Sequence, residues 1–365
     1  MVLGAISGLG PITVQRLLAH FNGDAPACLA ASALELSQVK GLNRKVQQAL
    51  LAWEAAIDLG KVEQRMQKSQ TRFVISEDAA YPECLKSIHN PPVGLYWQGT
   101  SHLPSQSIAI VGTRRPTLYG LRMAKLFASE LAQAGFCIVS GLARGIDTAA
   151  HQGALAVGGK TVAVCGCGLD HIYPAENLDL LKAIVQQGAA ISEFPFGRRA
   201  DRQTFPMRNR IVAGMSQALI VIESDASGGS MITARFAGEQ GRALMAVPGR
   251  IDQASSAGCH QLIRDGATLV TSAEDVLEEL KFHLPPSLQL DFTPELATAD
   301  VPTVPVELSA SEESVMHVFR GGERIHLDSI GELCGLSAQA TAITVMQLEL
   351  KHLLRKHTDG SYEAL

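Results

Sequence analysis

The chain has 365 residues, 46% hydrophobic and 18% charged, with a formal net charge of −5. That length holds two or three ordinary domains, and the negative balance excludes a protein coated with basic surface for nucleic acid, so any such site must be a local pocket. Seven scattered cysteines do not make a disulfide framework, no apolar run reaches the length of a membrane span, and Met1-Val2-Leu3-Gly4 lacks the basic start of a signal peptide; the cytoplasm is the expected compartment.

Residues 1–65 read as a small helical domain. Ile6-Ser7-Gly8-Leu9-Gly10-Pro11 precedes a helical run from Ile12 to Phe21, with Pro11 suited to the first turn. Val39-Lys40-Gly41-Leu42-Asn43 echoes it ahead of Arg44 to Trp53, without the second glycine. The pair resembles a tandem helix-hairpin-helix (SAM-like) repeat, in which a GxG turn presents backbone amides to a DNA phosphate. Phosphate contact and plain packing both fit these residues. Only Met1 to Ala5 stand before the first copy, too few for its leading helix, so the natural start is expected upstream.

Residues 66–282 are expected to form the core, with 66–104 as its approach. Phe73-Val74-Ile75 reads as a strand. Pro91-Pro92 forces extended backbone before Leu95 to Trp97, a candidate edge strand. Ile108 to Val111 is a strand that stops at Gly112-Thr113-Arg114-Arg115. A helical pattern follows, with Leu121, Ala124, Leu126, Phe127 and Leu131 on one face and Gly135 as its C′ residue. Phe136 to Val139 and Ser140-Gly141 repeat the strand-to-loop pattern. Further strand-like runs lie at 161–164, 190–192, 218–222, 243–247 and 268–270, mostly separated by helical patterns. This alternation predicts a mainly parallel, doubly wound, Rossmann-like α/β sheet. Several runs end in Gly or Ser loops, at Cys165-Gly166-Cys167-Gly168, Ser192-Glu193 and Ser227-Gly228-Gly229-Ser230. Such loops at the carboxyl ends of strands are where open sheets bind ligands, and glycines there let amides approach an anion.

Five prolines recur between Pro285 and Pro305, so 283–308 is expected to be a semi-extended linker. Residues 309–365 resemble a winged helix: helices from Ser311 to Phe319, His326 to Cys334 and Ala338 to Leu354, then a hairpin tip at Thr358 to Tyr362. The would-be recognition helix, Ser337 to Leu350, carries no Lys or Arg. A DNA-reading helix needs cations, so a protein-interaction or packing role is favoured for this unit.

The densest basic run is 198–210, with Arg198, Arg199, Arg202, Arg208 and Arg210 against one aspartate. Arginine's planar fork suits phosphate. Arg208 and Arg210 open an apolar helix and are the pair expected to face the sheet edge, whereas Arg198, Arg199 and Arg202 fit a solvated face equally well. Tyr173 and Phe205 could offer stacking faces for bases or pack in the core. There is no GxxxxGK[ST], HExxH or GxSxG. Gly166-x-Gly168 has His171 where a dinucleotide fingerprint wants its third glycine. Cys165 and Cys167 lack the second pair a zinc site needs. Asp147 and His151 lie four apart. A metal pair is one reading, and a carboxylate at a helix N-terminus is the better one, for Glu223 as well.

Taken in order, VGTRRPTLYG (111–120), SGLARGIDTAAHQGAL (140–155), GKTVAVCGCGLDHIYPAEN (159–177), SEFPFG (192–197), FPMRNRIVAGMS (205–216), ESDASGGSMITARFA (223–237) and VPGR (247–250) resemble the DNA-processing protein A family (DprA, or Smf). The resemblance is dense over about 70–280 and looser toward both ends. It implies an extended Rossmann core that binds single-stranded DNA and loads the recombinase RecA during natural transformation. It also implies self-association as a dimer, and no catalytic turnover or cofactor. Carried onto this chain, the basic pocket is Arg114, Arg115, Lys160, Arg208 and Arg210. Loops at Gly112, Gly141, Gly166 and Ser230 supply amides, and Tyr173 and Asn177 lie in the YPxxN segment. Thr113, Ser140, Arg144, Gly168, Gly228 and Gly229, from the same motifs, complete the expected DNA-binding set. The rival reading is a nucleotide-processing Rossmann enzyme such as a nucleoside-monophosphate phosphoribohydrolase. Its PGGxGTxxE loop is echoed distantly at 227–233, but the glutamate is missing and Arg235 stands near its place.

Overall fold

The structure is a computed structural model that describes residues 1–6, 8–100, 103–283, 308–319, 324–351, 353–357 and 360–364. The chain divides into two compact units, Met1–Leu288 and Gln289–Leu365.

In the first unit, short apolar runs bounded by Gly, Ser or Pro become strands of a single sheet. They are β1 (Arg72–Ile75), β2 (Gly94–Gly99), β3 (Ser107–Gly112), β4 (Cys137–Ser140), β5 (Thr161–Val164), β6 (Ala189–Ser192), β7 (Ala218–Ile222), β8 (Ala243–Ala246) and β9 (Thr268–Leu269). Their order is β1-β2-β6-β5-β4-β3-β7-β8-β9. Every pairing from β6 through β9 is parallel, while β1–β2 and β2–β6 are antiparallel. β4, β5, β6 and β7 are buried along their whole length, as strands covered by helices on both faces must be. The expected Rossmann-like, mainly parallel sheet is therefore present. One expectation fails: Leu95 to Trp97 do not form an edge. β1 pairs along β2 on one side, with Phe73 opposite Tyr96, and β6 lies on the other, with Ser192 opposite the same residue.

The Leu118–Gln133 helix follows β3. Thr117 caps it by accepting from the Gly120 amide at 3.2 Å, and Gly135, at φ +91°, terminates it as expected. The helices that matter for the site are this one, Ile146–Ala156 after β4, Thr204–Gly214 after β6 and Gly229–Glu239 after β7.

The N-terminal helices pack around their own apolar cluster, which includes Leu17, Leu36 and Leu50. Gly8 and Gly41, the first glycines of the two repeated turns, share a left-handed φ of +83° and +85°. In the second turn Asn43 stands where the repeat has a glycine. Its side chain accepts from the Val46 amide at 3.0 Å and caps the Arg44–Leu51 helix. This helical segment is tied to the core: Gln15 Nε2 donates to the Pro91 carbonyl at 2.9 Å, and Arg65 pairs with Asp170. Residues 1–65 accordingly belong to the same compact unit as the sheet.

The second unit runs helix Ala310–Val318, β10 (Ile325–His326), helices Leu327–Cys334 and Ala338–Leu350, then β11 (Leu354–Lys356) and β12 (Ser361–Ala364), with sheet order β10-β12-β11. Ser309 and Glu312 form a capping box on its first helix. The linker expected over 283–308 lies, except for its end residues, outside the described residues, as do Thr358 and Asp359 of the expected hairpin tip.

Candidate nucleic-acid interface

Where strand order reverses in an open α/β sheet, the two loops that leave the neighbouring strands diverge and a crevice opens between them. Here the reversal falls between β3 and β7, whose last residues Gly112 and Ile222 are partners. A cleft of about 600 Å³ lies there, within the range of small-ligand sites. One wall is the loop Gly112-Thr113-Arg114-Arg115. The opposite wall is Ser224-Asp225 with Gly228, Gly229 and Ser230 at the start of the Gly229–Glu239 helix. Gly141, Ala143 and Asp147 come from beyond β4. Arg202, Phe205, Pro206, Arg208 and Asn209 come from the segment that opens the Thr204–Gly214 helix. Gly112 is a requirement of packing: a Cβ there would lie 1.8 Å from the Ile222 carbonyl oxygen.

Most loop amides already have partners. The Thr113 N–H donates to the Glu223 carbonyl at 2.7 Å, and that of Arg115 to Thr113 Oγ1 at 3.2 Å. Asp147 Oδ2 accepts from the amides of Gly141 at 3.1 Å and Ala143 at 3.3 Å. The Gly168 amide donates to the Arg198 carbonyl at 2.9 Å. The expectation that Gly141 offers its amide to an anion is therefore corrected, because a carboxylate from the next helix has taken it. Gly229 and Ser230 open the Gly229–Glu239 helix, and the first amides of a helix have no intrahelical acceptor and suit an anion.

The cations divide into two classes. Arg114, Arg115 and Arg202 line the cleft and are exposed. The Arg114 guanidinium stands over the Phe205 ring, 4.8 Å from its centroid. Phe205 in turn meets Tyr173, with centroids 5.5 Å apart and planes tilted by 48°. Tyr173 is 44% exposed, so the three planar groups form an open row beside the cleft. Gly166 lies beneath it, since a Cβ there would come within 3.3 Å of the Phe205 ring.

The other arginines are committed. Arg208 lines the cleft but is 4% exposed, and its Nη1 donates to the Val164 carbonyl at 2.9 Å. A Cβ on Gly141 would fall 1.7 Å from that nitrogen. Burial pulls the guanidinium pKa down, and the charge of Asp147 opposes it. Burial likewise pushes the Asp147 carboxyl up, while Arg208 and the two loop amides hold it down. Burial, helped by Arg208, drives His151 down to about 3, so it is neutral. Its Nδ1 lies 2.7 Å from Thr161 Oγ1, which donates to the Ile138 carbonyl, so Nδ1 carries the proton. Asp147 and His151 thus hold separate partners, and no group of three or more potential metal ligands stands together among the described residues.

Arg210 is a correction. It is 6% exposed, does not line the cleft, and grips Glu193 with Nη2 at 2.5 and 2.6 Å from the two carboxylate oxygens. Lys160 is a second correction. It precedes β5, so it stands at the amino edge of a parallel sheet whose site is at the carboxyl edge, and its charge acts on Cys137 at the start of β4. Ser140 is buried and donates to the Ile110 carbonyl at 2.7 Å. Asn177 ties the Leu142 carbonyl and Thr148 Oγ1 together at 3.0 and 2.9 Å. Arg144 pairs with Glu176. These three support the loops around the cleft. Arg202, Asn209 and Asp225 line it and were not among the expected residues. For Asn209 a signal was present, since it shares a helical face with Phe205 and Pro206 at i+4 and i+3, whereas Arg202 stands in the turn before the Thr204–Gly214 helix.

The family model described as DNA recombination-mediator protein A matches residues 72–281. Protein Smf of Synechocystis is 37% identical over 280 residues, covering 75% of this chain and 70% of the relative. The crystal structure of DNA processing protein A from Streptococcus pneumoniae superposes with a TM-score of 0.67 at 35% identity, covering 75% of this chain and 94% of that one. DNA processing protein A from Helicobacter pylori, whose structure is described as showing a single-stranded DNA binding mode, matches with a TM-score of 0.53 at 31% identity, covering 60% and 99%.

Proposed function

The chain belongs to the DNA recombination-mediator protein A family, and on that premise we propose that its switch-point cleft binds single-stranded DNA without turning it over. The observation that carries the reading is the open row Arg114–Phe205–Tyr173, flanked by exposed Arg115 and Arg202 and by the helix start at Gly229-Ser230. Uncommitted guanidinium groups and a helix N-terminus suit phosphates, and the exposed Tyr173 ring with the half-buried Phe205 behind it suits bases. A duplex buries its base faces in the stack, whereas a single strand can turn them onto such a platform. The buried carboxylate of the cleft, Asp147, is engaged by two amides and faces Arg208, which leaves it poorly placed as a general base. Kinship with the Helicobacter protein supports the choice of ligand. We extend the reading to RecA loading on incoming DNA in natural transformation, to a homodimer and to a cytoplasmic setting. The second unit, read as a winged helix, is assigned to protein contact.

The test is fluorescence anisotropy with a labelled oligothymidine at several salt concentrations, with duplex DNA and mononucleotides as competitors. Tight binding that duplex and mononucleotides displace poorly is expected. Arg114→Ala combined with Arg202→Ala should lower the log–log salt slope by about 1.4, because each phosphate of a single strand that a cation neutralises adds about 0.7. Unchanged affinity in the double variant would place the site elsewhere. Displacement by a mononucleotide at modest concentration would favour the nucleotide-processing enzyme.

A further inference from the structure

We infer that Glu223 is a positioning residue that clamps both ends of the Arg114–Arg115 loop and so sets where those guanidinium groups stand; the inference rests on the single-strand reading of the same cleft. Glu223 immediately follows β7, on the far side of the strand-order reversal from the loop it holds. It is 3% exposed, and its backbone is left-handed at φ +49°, a conformation that a long side chain adopts only where its surroundings impose it.

Those surroundings include three hydrogen bonds to one short loop. The Glu223 carbonyl accepts the Thr113 amide at 2.7 Å, at the start of the loop. The side chain reaches the other end: Oε2 accepts the Thr117 amide at 2.8 Å and Oε1 accepts the Thr117 hydroxyl at 2.5 Å. Thr117 also caps the Leu118–Gln133 helix, and a Cβ on Gly120 in its first turn would fall 2.3 Å from Oε2. The carboxylate therefore sits at a helix N-terminus, where a negative charge is favoured. Between the two clamped residues lie only Arg114, Arg115 and Pro116.

The consequence is geometric. With both ends of the loop fixed to the residue that follows the neighbouring strand, Arg114 is held over Phe205 with no salt bridge to it among the described residues. The next residue, Ser224, accepts a hydrogen bond from Ser230 Oγ at 2.7 Å and accepts the Gly258 amide through its carbonyl at 2.7 Å. Glu223-Ser224 thereby joins the arginine wall to the Gly228–Ser230 wall and sets the width of the cleft. A buried carboxylate beside an anion site costs binding through its charge. It is retained here as the group that preorganises the cations, and that lowers the ordering cost of binding.

The experiment combines Glu223→Gln with Arg114→Ala in a double-variant cycle, read by oligothymidine anisotropy across salt. An amide can accept one of the two Thr117 bonds but not both. Glu223→Gln should weaken binding about tenfold, as expected for loss of one charge-assisted hydrogen bond, and should lower the salt slope as Arg114→Ala does. The combined variant should bind no more weakly than Arg114→Ala alone. Losses that multiply, or wild-type binding by Glu223→Gln, would overturn the clamp. Amide hydrogen exchange in the free protein gives a readout independent of DNA. Thr117 should exchange faster in Glu223→Gln and unchanged in Arg114→Ala, whereas Thr113, held by the main-chain carbonyl that the variant keeps, is the internal reference; unchanged Thr117 exchange in Glu223→Gln also overturns the clamp. If the wild-type chain bound no oligothymidine, the functional reading would fall, and exchange alone would still decide whether the clamp exists. Should Glu223→Gln not fold, Thr117→Val removes only the hydroxyl, with Thr117→Ser as the control that keeps it. A roughly threefold loss in the valine variant alone supports the clamp, and equal affinity in both overturns it.

Discussion

The switch-point cleft and the Ala338–Leu350 helix of the second unit differ in where their charge lies. Three exposed arginines ring the cleft. The helix has no Lys or Arg, and shows solvent Ile343, Met346 and Leu350 instead, at 51%, 62% and 71% exposure. Without cations a helix releases no counterions from DNA, so its topology alone gives no electrostatic affinity. The same rule holds inside the first unit at finer scale. Arg202, Arg208 and Arg210 lie within nine residues of each other, yet Arg208 is held by a buried carbonyl and Arg210 by Glu193, whereas Arg202 is exposed and has no anionic partner among the described residues. The useful count is of cations that are both exposed and uncommitted, and it singles out the Arg114 side of the cleft.

The largest expected effect separates a committed arginine from an open one. Arg210→Ala leaves Glu193 buried and unpaired, which should cost about 3–5 kcal/mol of stability, measured by urea unfolding. The salt slope of the residual folded protein should not change. Native stability with a reduced slope would instead move Arg210 into the interface and erase the distinction. Next in size is Phe205→Ala, which removes the middle of the planar row. It should weaken oligothymidine binding by about 1–3 kcal/mol, the range for one base–aromatic stack. Because no charge is removed, affinity should fall at every salt concentration with the slope unchanged. A fall in slope would mean that Phe205 acts mainly by holding Arg114.

The strands were legible in the sequence almost residue by residue. β5 was expected at 161–164 and β7 at 218–222, and both occupy those positions, because buried parallel strands are short apolar runs that loops with Gly or Ser cut off sharply. The loops at the carboxyl edge followed from the same pattern. What was not legible depended on direction or long-range pairing. Lys160 stands beside an apolar run just as Arg114 does, but it precedes its strand, and in a parallel sheet that places it at the opposite edge. Arg202 and Arg210 have the same side chain, but one stands exposed in the turn before the helix and lines the cleft, while the other is buried within the helix against Glu193. That partner comes from the loop after β6, and no local rule joins positions 193 and 210 before the sheet is assembled. As a glycine in a loop, Gly141 reads as an amide donor. Its amide went to Asp147, six residues on, and what the glycine supplies is room for Arg208.

The smallest expected effect tests the other side of the comparison. Met346→Glu adds a negative charge at an exposed position of the Ala338–Leu350 helix, where Ile343 and Leu350 share its face at i−3 and i+4. If that helix met the DNA backbone, a carboxylate there would repel phosphate and weaken binding several-fold at low salt, with recovery at high salt as screening shortens its reach. The helix has no cation to lose, and its buried face, with Thr341, Thr344, Val345 and Leu348, points into its own unit. Oligothymidine affinity and salt slope should therefore both stay within about twofold of wild type, since surface substitutions away from packing features change little. A salt-dependent loss would carry the DNA path onto the second unit. An unchanged titration leaves the apolar face free for a protein, the role its composition fits.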